Sequence, residues 1–267
     1  MAMPEHTRPS MGVMHLNRRE PRFRLSRIQP AADVGFFIKH YWIVSWDLTG
    51  EEPHTQAVIP NPCANLVVEK GSAFIYGAAK HVYEKQLQGS GCAFGIKFRP
   101  GGLYPFIKQP VTALHDRPMD VRAVLGIDGT AAESLILSRD SAEDMAAEAE
   151  RLIRPMLPEE DQTVAWLNQV IDHIQADKSL TRVEDICMHF DVNMRTLQRL
   201  FSQYVGLTPK WVIKLYRLQH AAEVMDQGGS LNLLQLAHEL GYHDQSHFIR
   251  DFKAAVGVTP ASYMAME

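Results

Sequence analysis

The residues best suited to chemistry lie near the C-terminus, in the stretch GYHDQSHFIRDF. His243 and His247 are four residues apart, which on a helix is the spacing of a zinc-binding pair. The same stretch carries three side chains of the types that hydrogen-bond to the edges of base pairs, namely Gln245, Ser246 and Arg250. The sequence therefore offers two alternatives here, a metal site and a nucleic-acid surface.

An internal repeat indicates which elements hold these residues. RLFSQYVGLTP at 199–209 and RDFKAAVGVTP at 250–260 share six identical residues out of eleven at a constant offset of 51. Apolar residues four apart in each copy share a helix face. The shared glycines, Gly206 and Gly257, suit the left-handed residue that ends a helix, and the Thr-Pro pair that follows suits the start of the next helix.

Capping residues extend the repeat upstream. Asn193 and Asp244 stand at the same offset, each just before an apolar periodicity begins, as N-caps do. Thr181 to Glu184 and Asn232 to Gln235 both have the capping-box pattern. Each unit is therefore predicted to be a short helix, a tight turn and a second helix of about twelve residues, which is a helix-turn-helix.

Two more helices are predicted beside these units. Residues 163 to about 175 form the first. Residues 209 to about 225 form the second, which joins the units and is closed by Gly228-Gly229. Four apolar positions of the joining helix are expected to pack on both units: Val212, Leu215, Leu218 and Ala222.

The cap at Asp244 decides between the two alternatives. If Asp244 caps the helix, His243 lies outside it and shares no helical face with His247. No third ligand is evident downstream in the sequence. We therefore expect no metal site and no cofactor.

The outward faces of the two second helices are polar or cationic and carry no Asp or Glu, as judged by a projection at 100° per residue. The outward residues are Arg195, Thr196, Arg199, Ser202 and Gln203, with Gln198 at the flank, and Gln245, Ser246, His247, Arg250 and Lys253. For one helix an ordinary solvated face would explain this. Because the pattern recurs in two helices, we favour double-stranded DNA as the partner. Residues 161–267 hold nine Lys and Arg against twelve Asp and Glu, so bulk charge argues mildly against DNA.

Residues 163–267 resemble the DNA-binding domain of the AraC/XylS transcription regulators. The resemblance is carried by TLQRLFSQYVGLTP, RLQHAAEVM, LAHELGYHDQSHFIRDFKAAVGVTP and the closing ASYM. It implies paired recognition helices that enter successive major grooves, with promoter DNA and RNA polymerase as partners. Carried over by position, it implies DNA contacts at Arg195, Gln198, Arg199, Gln245, Ser246, His247 and Arg250; the projection adds Thr196 to the reading face. Cys187 and Met194 depart from the family pattern, but neither lies on that face.

Different roles are expected within this set. Arg195 and Gln198 could read guanine and adenine edges. Arg199 and Arg250 recur beside the phenylalanines of both units, so a phosphate contact and a buried bond within the domain both fit them.

The first 160 residues have a different pattern. Short β-rich runs at 40–48, 56–60, 65–69, 73–77 and 92–98, separated by Gly, Pro and Asn, are typical of an antiparallel sandwich or barrel. A stretch rich in Ala and Glu from about 130 to 156 is predicted to be helical. FRPGG (98–102) and HDRPMD (115–120) resemble cupin-like sensing domains that precede the DNA-binding domain in many regulators of this family.

The chain is thus predicted to be an α+β multidomain protein. Residues 1–157 form a cupin-like β-rich sensing and dimerisation domain with terminal helices, 158–162 a linker, and 163–267 an all-α double helix-turn-helix domain. A small apolar or aromatic effector of unknown identity is expected in the β-domain, and a homodimer through the 130–156 helices. Trp42 and Trp46 share a strand face that could line a cavity, but core packing is the favoured interpretation.

Other features of this half favour structural explanations. The His-x-His pattern of metal cupins is absent, and His54 and His81 are isolated. Cys63 and Cys92 are expected to be buried, inert thiols rather than redox sensors. Gly101-Gly102 is a turn, either at a pocket mouth or elsewhere.

Composition limits the function classes. The three cysteines are widely spaced, so no disulfide framework is implied, and no run of 18 apolar residues or signal peptide is present. We expect a cytoplasmic protein without a membrane partner.

No nucleophile elbow, phosphate loop or carboxylate cluster indicates an enzyme. The rival hypothesis, favoured by the net charge of −4, is a cupin-like small-molecule-binding or catalytic protein with a helical docking module. The arginine-rich first 30 residues fit a disordered tail better than a DNA-binding arm.

Overall fold

The computed structural model describes residues 22–115, 117–227 and 232–265. The N-terminal part is built on these strands: β1 Arg24–Ile28, β2 Ile38–Leu48, β3 His54–Val58, β4 Asn65–Glu69, β5 Ser72–Tyr76, β6 Tyr83–Leu87, β7 Gly89–Phe98 and β8 Met119–Asp120. One antiparallel sheet has the order β1-β2-β7-β4-β5-β8, and β3 pairs with β6 in a second sheet. The predicted antiparallel β-domain is confirmed. Strands β1 and β6 went unpredicted because charged residues interrupt their apolar positions.

Short helices and turns follow the strands: α1 Tyr104–Ile107, α2 Arg122–Leu125, α3 Gly129–Ile136 and α4 Ala142–Ile153, with 3-10 turns at Val111–Leu114 and Arg154–Met156. Asp128 and Ser141 cap α3 and α4 by accepting hydrogen bonds from backbone N–H groups. Helices α3 and α4 confirm the helical prediction for this stretch.

The large sheet has two different faces because successive side chains of a strand point to opposite sides. On one face Leu66, Phe94 and Ile96 pack with Ile136 of α3 and Ala149 of α4 in a single buried cluster. The apolar face of α4 is therefore used inside the chain. Dimerisation through residues 130–156 stays a prediction, and it would have to use another face of these helices.

The C-terminal part is helical: α5 Gln162–Ala176, α6 Val183–His189, α7 Met194–Leu200, α8 Pro209–Asp226, α9 Leu233–Glu239, α10 Gln245–Val256 and α11 Pro260–Ala265. Helices α6–α7 and α9–α10 form the two helix-turn-helix units. A π-helical turn, Phe201–Val205, extends α7, so both second helices span twelve residues as predicted.

The predicted caps of the two second helices are confirmed. The carboxamide oxygen of Asn193 accepts from the Thr196 N–H at 2.8 Å, and Asp244 accepts from the His247 N–H at 2.8 Å. At the other ends, Gly206 has φ of +84° and Gly257 has φ of +87°, which a residue with a Cβ atom rarely adopts.

The two predicted capping boxes are wrong in part. Helix α6 begins at Val183, and Thr181 lies one residue upstream of the N-cap, Arg182, whose side chain makes no capping bond. Asn232 does cap α9, but the Gln235 side chain donates to Glu239, one turn further along, instead of reaching back. The proposed closure at Gly228-Gly229 lies outside the described residues, as do residues 1–21 of the arginine-rich segment.

Helix α8 joins the two units through a shared core. Val212 and Ile213 belong to the buried cluster of the first unit, with Leu197 of α7. Leu215 and Leu218 belong to that of the second unit, with other residues of α9 and α10. The prediction that this helix packs on both units is confirmed. Among the residues described, no helix is long and apolar enough to span a membrane.

Candidate nucleic-acid interface and internal cavity

The eight predicted DNA-contacting residues lie on the second helices of the two units. Six side chains are exposed: Arg195, Gln198, Arg199, Ser246, His247 and Arg250. The remaining two, Thr196 and Gln245, are half-buried. The structure thus gathers the set into two surfaces, one on α7 and one on α10, each in the N-terminal half of its helix.

The first residue of α10 determines whether His243 and His247 share a helical face, as the metal alternative requires. The helix begins at Gln245, so His243 precedes both the helix and its cap, Asp244. No group of three or more His, Cys, Asp or Glu side chains suited to a metal ion occurs within residues 22–115, 117–227 and 232–265. The exposed His247 is instead one member of the polar α10 surface.

Arg199 and Arg250 are exposed, and within the described part of the chain neither has a hydrogen bond or an ion pair. The alternative of a buried intradomain bond is therefore wrong for both. That role belongs to Arg217 of α8, whose guanidinium donates to the Leu240 carbonyl and lies 4.5 Å from the centroid of the Tyr242 ring. Nothing in the stretch RLQHAAEVM, which Arg217 begins, indicated that this side chain would be engaged inside the domain.

Asp251, which follows Arg250 of the α10 surface, is engaged by other side chains of the domain. Asp251 accepts from Lys214 Nζ of α8 at 3.2 Å and from the Tyr242 hydroxyl at 3.3 Å. The pKa of the Tyr242 hydroxyl is raised, first by burial and then by the Asp251 charge. Asp251 is therefore paired with Lys214, and the exposed Asp244 at the start of this surface is engaged in capping the helix.

The first unit contacts the β-domain through the C-terminal end of its second helix. His115 Nε2 donates to the Gly206 carbonyl at 2.5 Å, and Val111 packs against Gly206. Gln203 Nε2 donates to the Tyr104 hydroxyl at 2.5 Å. The rings of Tyr104 and Tyr204 lie 4.1 Å apart.

The second unit also contacts the β-domain near the end of its second helix. His81 Nδ1 donates to the Ala254 carbonyl of α10 at 3.3 Å, and Val82 packs near Gly257. Both second helices are thus held at their C-terminal ends, while their N-terminal halves stay exposed.

The sheet face opposite the buried cluster lines a cavity of about 370 Å³, which β3 and β6 cover. Trp42 and Trp46 lie on its wall, so the favoured interpretation of these residues as core is wrong and the cavity alternative is confirmed. Gly95 and Gly91 of β7 make this possible, because a Cβ atom at either position would collide with the indole ring of Trp42 or Trp46. These strand glycines were the missed sequence signal.

The cavity also holds charged groups that the sequence analysis missed. Burial and nearby cations, Lys97 first, lower the pKa of His40 to about 3. Burial lowers the pKa of Lys97 to about 8. Lys85 Nζ, in contrast, lies 2.6 Å from Glu69 Oε2 and is paired. A single lysine within the apolar run CAFGIKF was the available signal for an inward-facing charge.

The wall of the cavity is shared with the C-terminal domain. Pro60, which lines it, accepts a hydrogen bond at its carbonyl from Gln219 Nε2 of α8 at 2.6 Å. Ile59, also on the wall, packs in the cluster of the second unit. His115, which bonds to Gly206, is a third lining residue. Residues of the cavity wall therefore contact α8 and the end of the α7 helix.

The structure also places two cysteines, a histidine and a glycine that the sequence analysis considered. Cys63 is buried beside the cavity, and Cys92 is half-buried against the sheet core. His54 is half-buried on β3, where its ring nitrogen lies 3.5 Å from Gln56. Gly101 has φ of +81° and its turn packs against Leu167 and Tyr204, so it lies at the domain boundary and not on the cavity wall.

Comparisons with known proteins match the two parts separately. A family described as a domain of unknown function (DUF6597) matches residues 26–120, and one described as a helix-turn-helix domain matches residues 186–266. The transcriptional regulatory protein HptR of Staphylococcus aureus is 25% identical over 99 residues, which is 37% of this chain. The match spans 38% of the length of HptR.

Two solved structures are similar in part. The C-terminal domain of AraT, a response regulator from Geobacillus stearothermophilus, has 25% identity and a TM-score of 0.36, covering 38% of this chain and 84% of that one. ToxT from Vibrio cholerae has 13% identity and a TM-score of 0.41, covering 92% of this chain and 99% of that one.

Proposed function

We propose that the chain is a DNA-binding transcription regulator, starting from the fact that residues 186–266 are an AraC-type helix-turn-helix domain. In this proposal α7 and α10 are the recognition helices and enter successive major grooves of one duplex. The eight residues on their exposed surfaces, given above, are the proposed DNA contacts. Promoter sites are the proposed targets, and RNA polymerase the proposed protein partner.

The observation that carries this proposal is the duplicated exposed surface. Both recognition helices begin at a side-chain cap and present polar or cationic side chains without Asp or Glu in their N-terminal halves. Residues at the start of such a helix reach base edges when the helix lies in the major groove. Because α8 packs on both units, the two surfaces are held at a fixed separation.

The proposal extends to control by a small molecule in the β-domain. The cavity is enclosed largely by apolar and aromatic side chains with a few polar groups, which is the usual composition of a ligand site. Lining residues also contact α8 and the end of the α7 recognition helix, as described above. Ligand binding that moves these residues would shift the two recognition helices relative to each other, and thereby change DNA affinity. Residues 1–157 are accordingly the proposed sensing domain and 163–267 the proposed DNA-binding domain.

The test is a gel-shift selection of genomic fragments by the full chain at moderate salt. We expect retained fragments to share two short sequence elements about one helical turn apart. A double variant, Arg195→Ala with His247→Ala, is expected to lose retention of these fragments. If the wild-type chain enriches no sequence over random DNA, the regulator proposal is wrong and the small-molecule-binding alternative gains support.

A further inference from the structure

Lys97 is a buried cation without a carboxylate partner in the part of the chain that the structure describes. On β7 it stands in register between His40 of β2 and Asn65 of β4, and all three residues line the cavity. Its side chain is only 7% exposed. Within the described part of the chain it has neither an ion pair nor a hydrogen bond, and no carboxylate influences its pKa.

The surroundings of Lys97 add positive charge. Arg27 also lines the cavity and acts on Lys97 as a nearby cation. Glu69, the one carboxylate among the described lining residues, is engaged by Lys85. Burying an uncompensated charge is unfavourable, so its presence in a cavity points to a ligand that supplies the opposite charge. With a pKa near 8, the Lys97 ammonium is still mostly protonated at neutral pH.

The rest of the cavity suits an apolar body. Trp42 and Trp46 lie along one wall over the strand glycines, and Leu25 and Val44 are neighbours on the same sheet face. Indole faces accept both aromatic rings and aliphatic chains. The cavity therefore has one cationic end and one long apolar wall.

We propose that this cavity binds a monocarboxylic acid with an apolar or aromatic body, the carboxylate against Lys97 and the body along Trp42 and Trp46. The binding site itself does not depend on the proposed function. The role of this acid as the effector of DNA binding does rest on it. A charge-assisted hydrogen bond from Lys97 would orient the carboxylate. The ligand class follows from the unpaired ammonium and the aromatic wall together.

The position of Lys97 gives this ligand a means of control. Asn65, which pairs with Lys97 in the sheet, donates through Nδ2 to the Cys63 carbonyl at 3.3 Å, and Ile59 of the same segment packs with the second unit, so the charged end of the cavity lies beside the domain boundary. A carboxylate at Lys97 would sit next to the wall segment that carries Pro60, whose carbonyl holds Gln219 of α8. Ligand binding would therefore act first on α8, the helix that joins the two helix-turn-helix units.

The test uses calorimetric titration of the full chain with 4-phenylbutyrate and with its neutral counterpart, 4-phenylbutanamide. Decanoate and decanol form a second charged and neutral pair with a flexible body. We expect each carboxylate to bind at least about tenfold more tightly than its neutral counterpart. Lys97→Met should remove this preference. Lys39→Met, which removes a nearby cation that does not line the cavity, should keep it.

Stability provides a second readout that does not depend on the choice of probe. Because the unliganded protein buries an uncompensated ammonium, Lys97→Met should raise the melting temperature of the ligand-free chain, whereas Lys39→Met should leave it nearly unchanged. A fall in melting temperature for Lys97→Met would mean that the ammonium is compensated inside the protein, and would overturn the inference.

The remaining outcomes separate this inference from the proposed function. Equal affinity for carboxylates and neutral counterparts, or no binding of any of the four at millimolar concentration, overturns the carboxylate site whether or not the chain binds DNA. A carboxylate that binds through Lys97 without changing affinity for the selected DNA fragments upholds the site and contradicts effector control. Loss of DNA selectivity with intact carboxylate binding contradicts only the regulator proposal.

Discussion

Arginine residues in the C-terminal domain have different roles, and their environments separate them. Arg217 is engaged with a carbonyl and an aromatic ring inside the domain, whereas Arg195, Arg199 and Arg250 are exposed on the recognition helices. Arg195 lies in the first turn of α7, the part of a recognition helix that reaches bases, whereas Arg199 lies one turn further along. Under the proposed function, this difference in position makes Arg195 the expected base contact and Arg199 the expected phosphate contact.

Replacement of Arg195 by Ala is predicted to weaken binding to a selected DNA fragment by about 1–3 kcal/mol, the usual value of a bidentate contact with guanine. Affinity for random DNA should change much less. Fluorescence anisotropy on both DNAs measures the difference. Arg182→Ala, an exposed arginine outside the reading surfaces, is the matched control and should have little effect on either. An equal loss on both DNAs would assign Arg195 to a phosphate instead.

Replacement of Arg199 or Arg250 by Ala is predicted to weaken binding to all sequences alike. Each side chain that neutralises a phosphate contributes about one unit to the slope of log affinity against log salt concentration, so each variant should lower that slope by about 1. Anisotropy titrations between low and moderate salt check this. A change in sequence preference with an unaltered slope would contradict the phosphate role.

His40 is predicted to make stability depend on acid. Its pKa is about 3 in the folded chain against an ordinary 6.5, because burial and the facing cations Lys97, Arg27 and Lys39 disfavour the charged ring. Below pH 6.5 the unfolded chain binds this proton and the folded chain does not, so the unfolding free energy falls as pH is lowered towards 3. The loss between pH 6.5 and 4.5 is on the order of 2 kcal/mol.

Denaturant unfolding of wild type and His40→Gln at these two pH values measures this contribution. The variant should lose less stability on acidification, and the difference between the two proteins isolates His40 from the other titrating groups. Identical losses would show that His40 titrates normally in the folded chain.

The sequence best predicted those helices and strands whose signals lie within a short stretch of chain. Caps at Asn193 and Asp244, terminal glycines and apolar periodicity lie within one helix each, so the C-terminal helices could be predicted nearly residue by residue. In the β-domain the controlling interactions are between strands. That Trp42 lies on a cavity wall depends on Gly95 of the neighbouring strand, 53 positions away in sequence. Lys97 did have a local signal, as the single charge in the run CAFGIKF, but the cavity that it faces is formed by several strands and is not visible within one of them.

The two residues predicted to cap the first helices of the units offer a matched test at the level of single helices. Asn232 accepts two backbone N–H groups at the start of α9, whereas Thr181, its counterpart at the repeat offset, caps nothing. Asn232→Ala is predicted to lower the unfolding free energy by about 1 kcal/mol, and Thr181→Ala, at an exposed position, by less than about 0.5 kcal/mol. Denaturant unfolding compares them. Equal losses would restore Thr181 as a cap.

At the scale of the whole molecule, the β-domain holds both recognition helices by their C-terminal ends and α8 by its middle. Contacts from His115 to Gly206 and from Pro60 to Gln219 connect the cavity wall to the end of the α7 helix and to α8. This arrangement gives the proposed ligand control a route from the internal cavity to the proposed DNA-reading surfaces. Under the proposal, the net negative charge of the chain does not prevent DNA binding, because the cations that would contact DNA are confined to two small surfaces.

We propose that one chain reads two half-sites on the same side of a duplex, and that the half-sites differ because the α7 and α10 surfaces carry different side chains. Helix α8 has 18 residues and so is about 27 Å long at 1.5 Å per residue. Because the two units pack along this helix, their recognition helices can lie about one 34 Å turn of DNA apart. The most direct measurement is the affinity of the full chain for a selected fragment before and after insertion of five base pairs between its half-sites. Five base pairs turn one half-site to the far side of the duplex. We predict that affinity falls by about 100-fold or more, towards the level for random DNA, because one recognition helix loses all its base contacts. Unchanged affinity would mean that only one helix enters a groove, and would contradict the two-helix account.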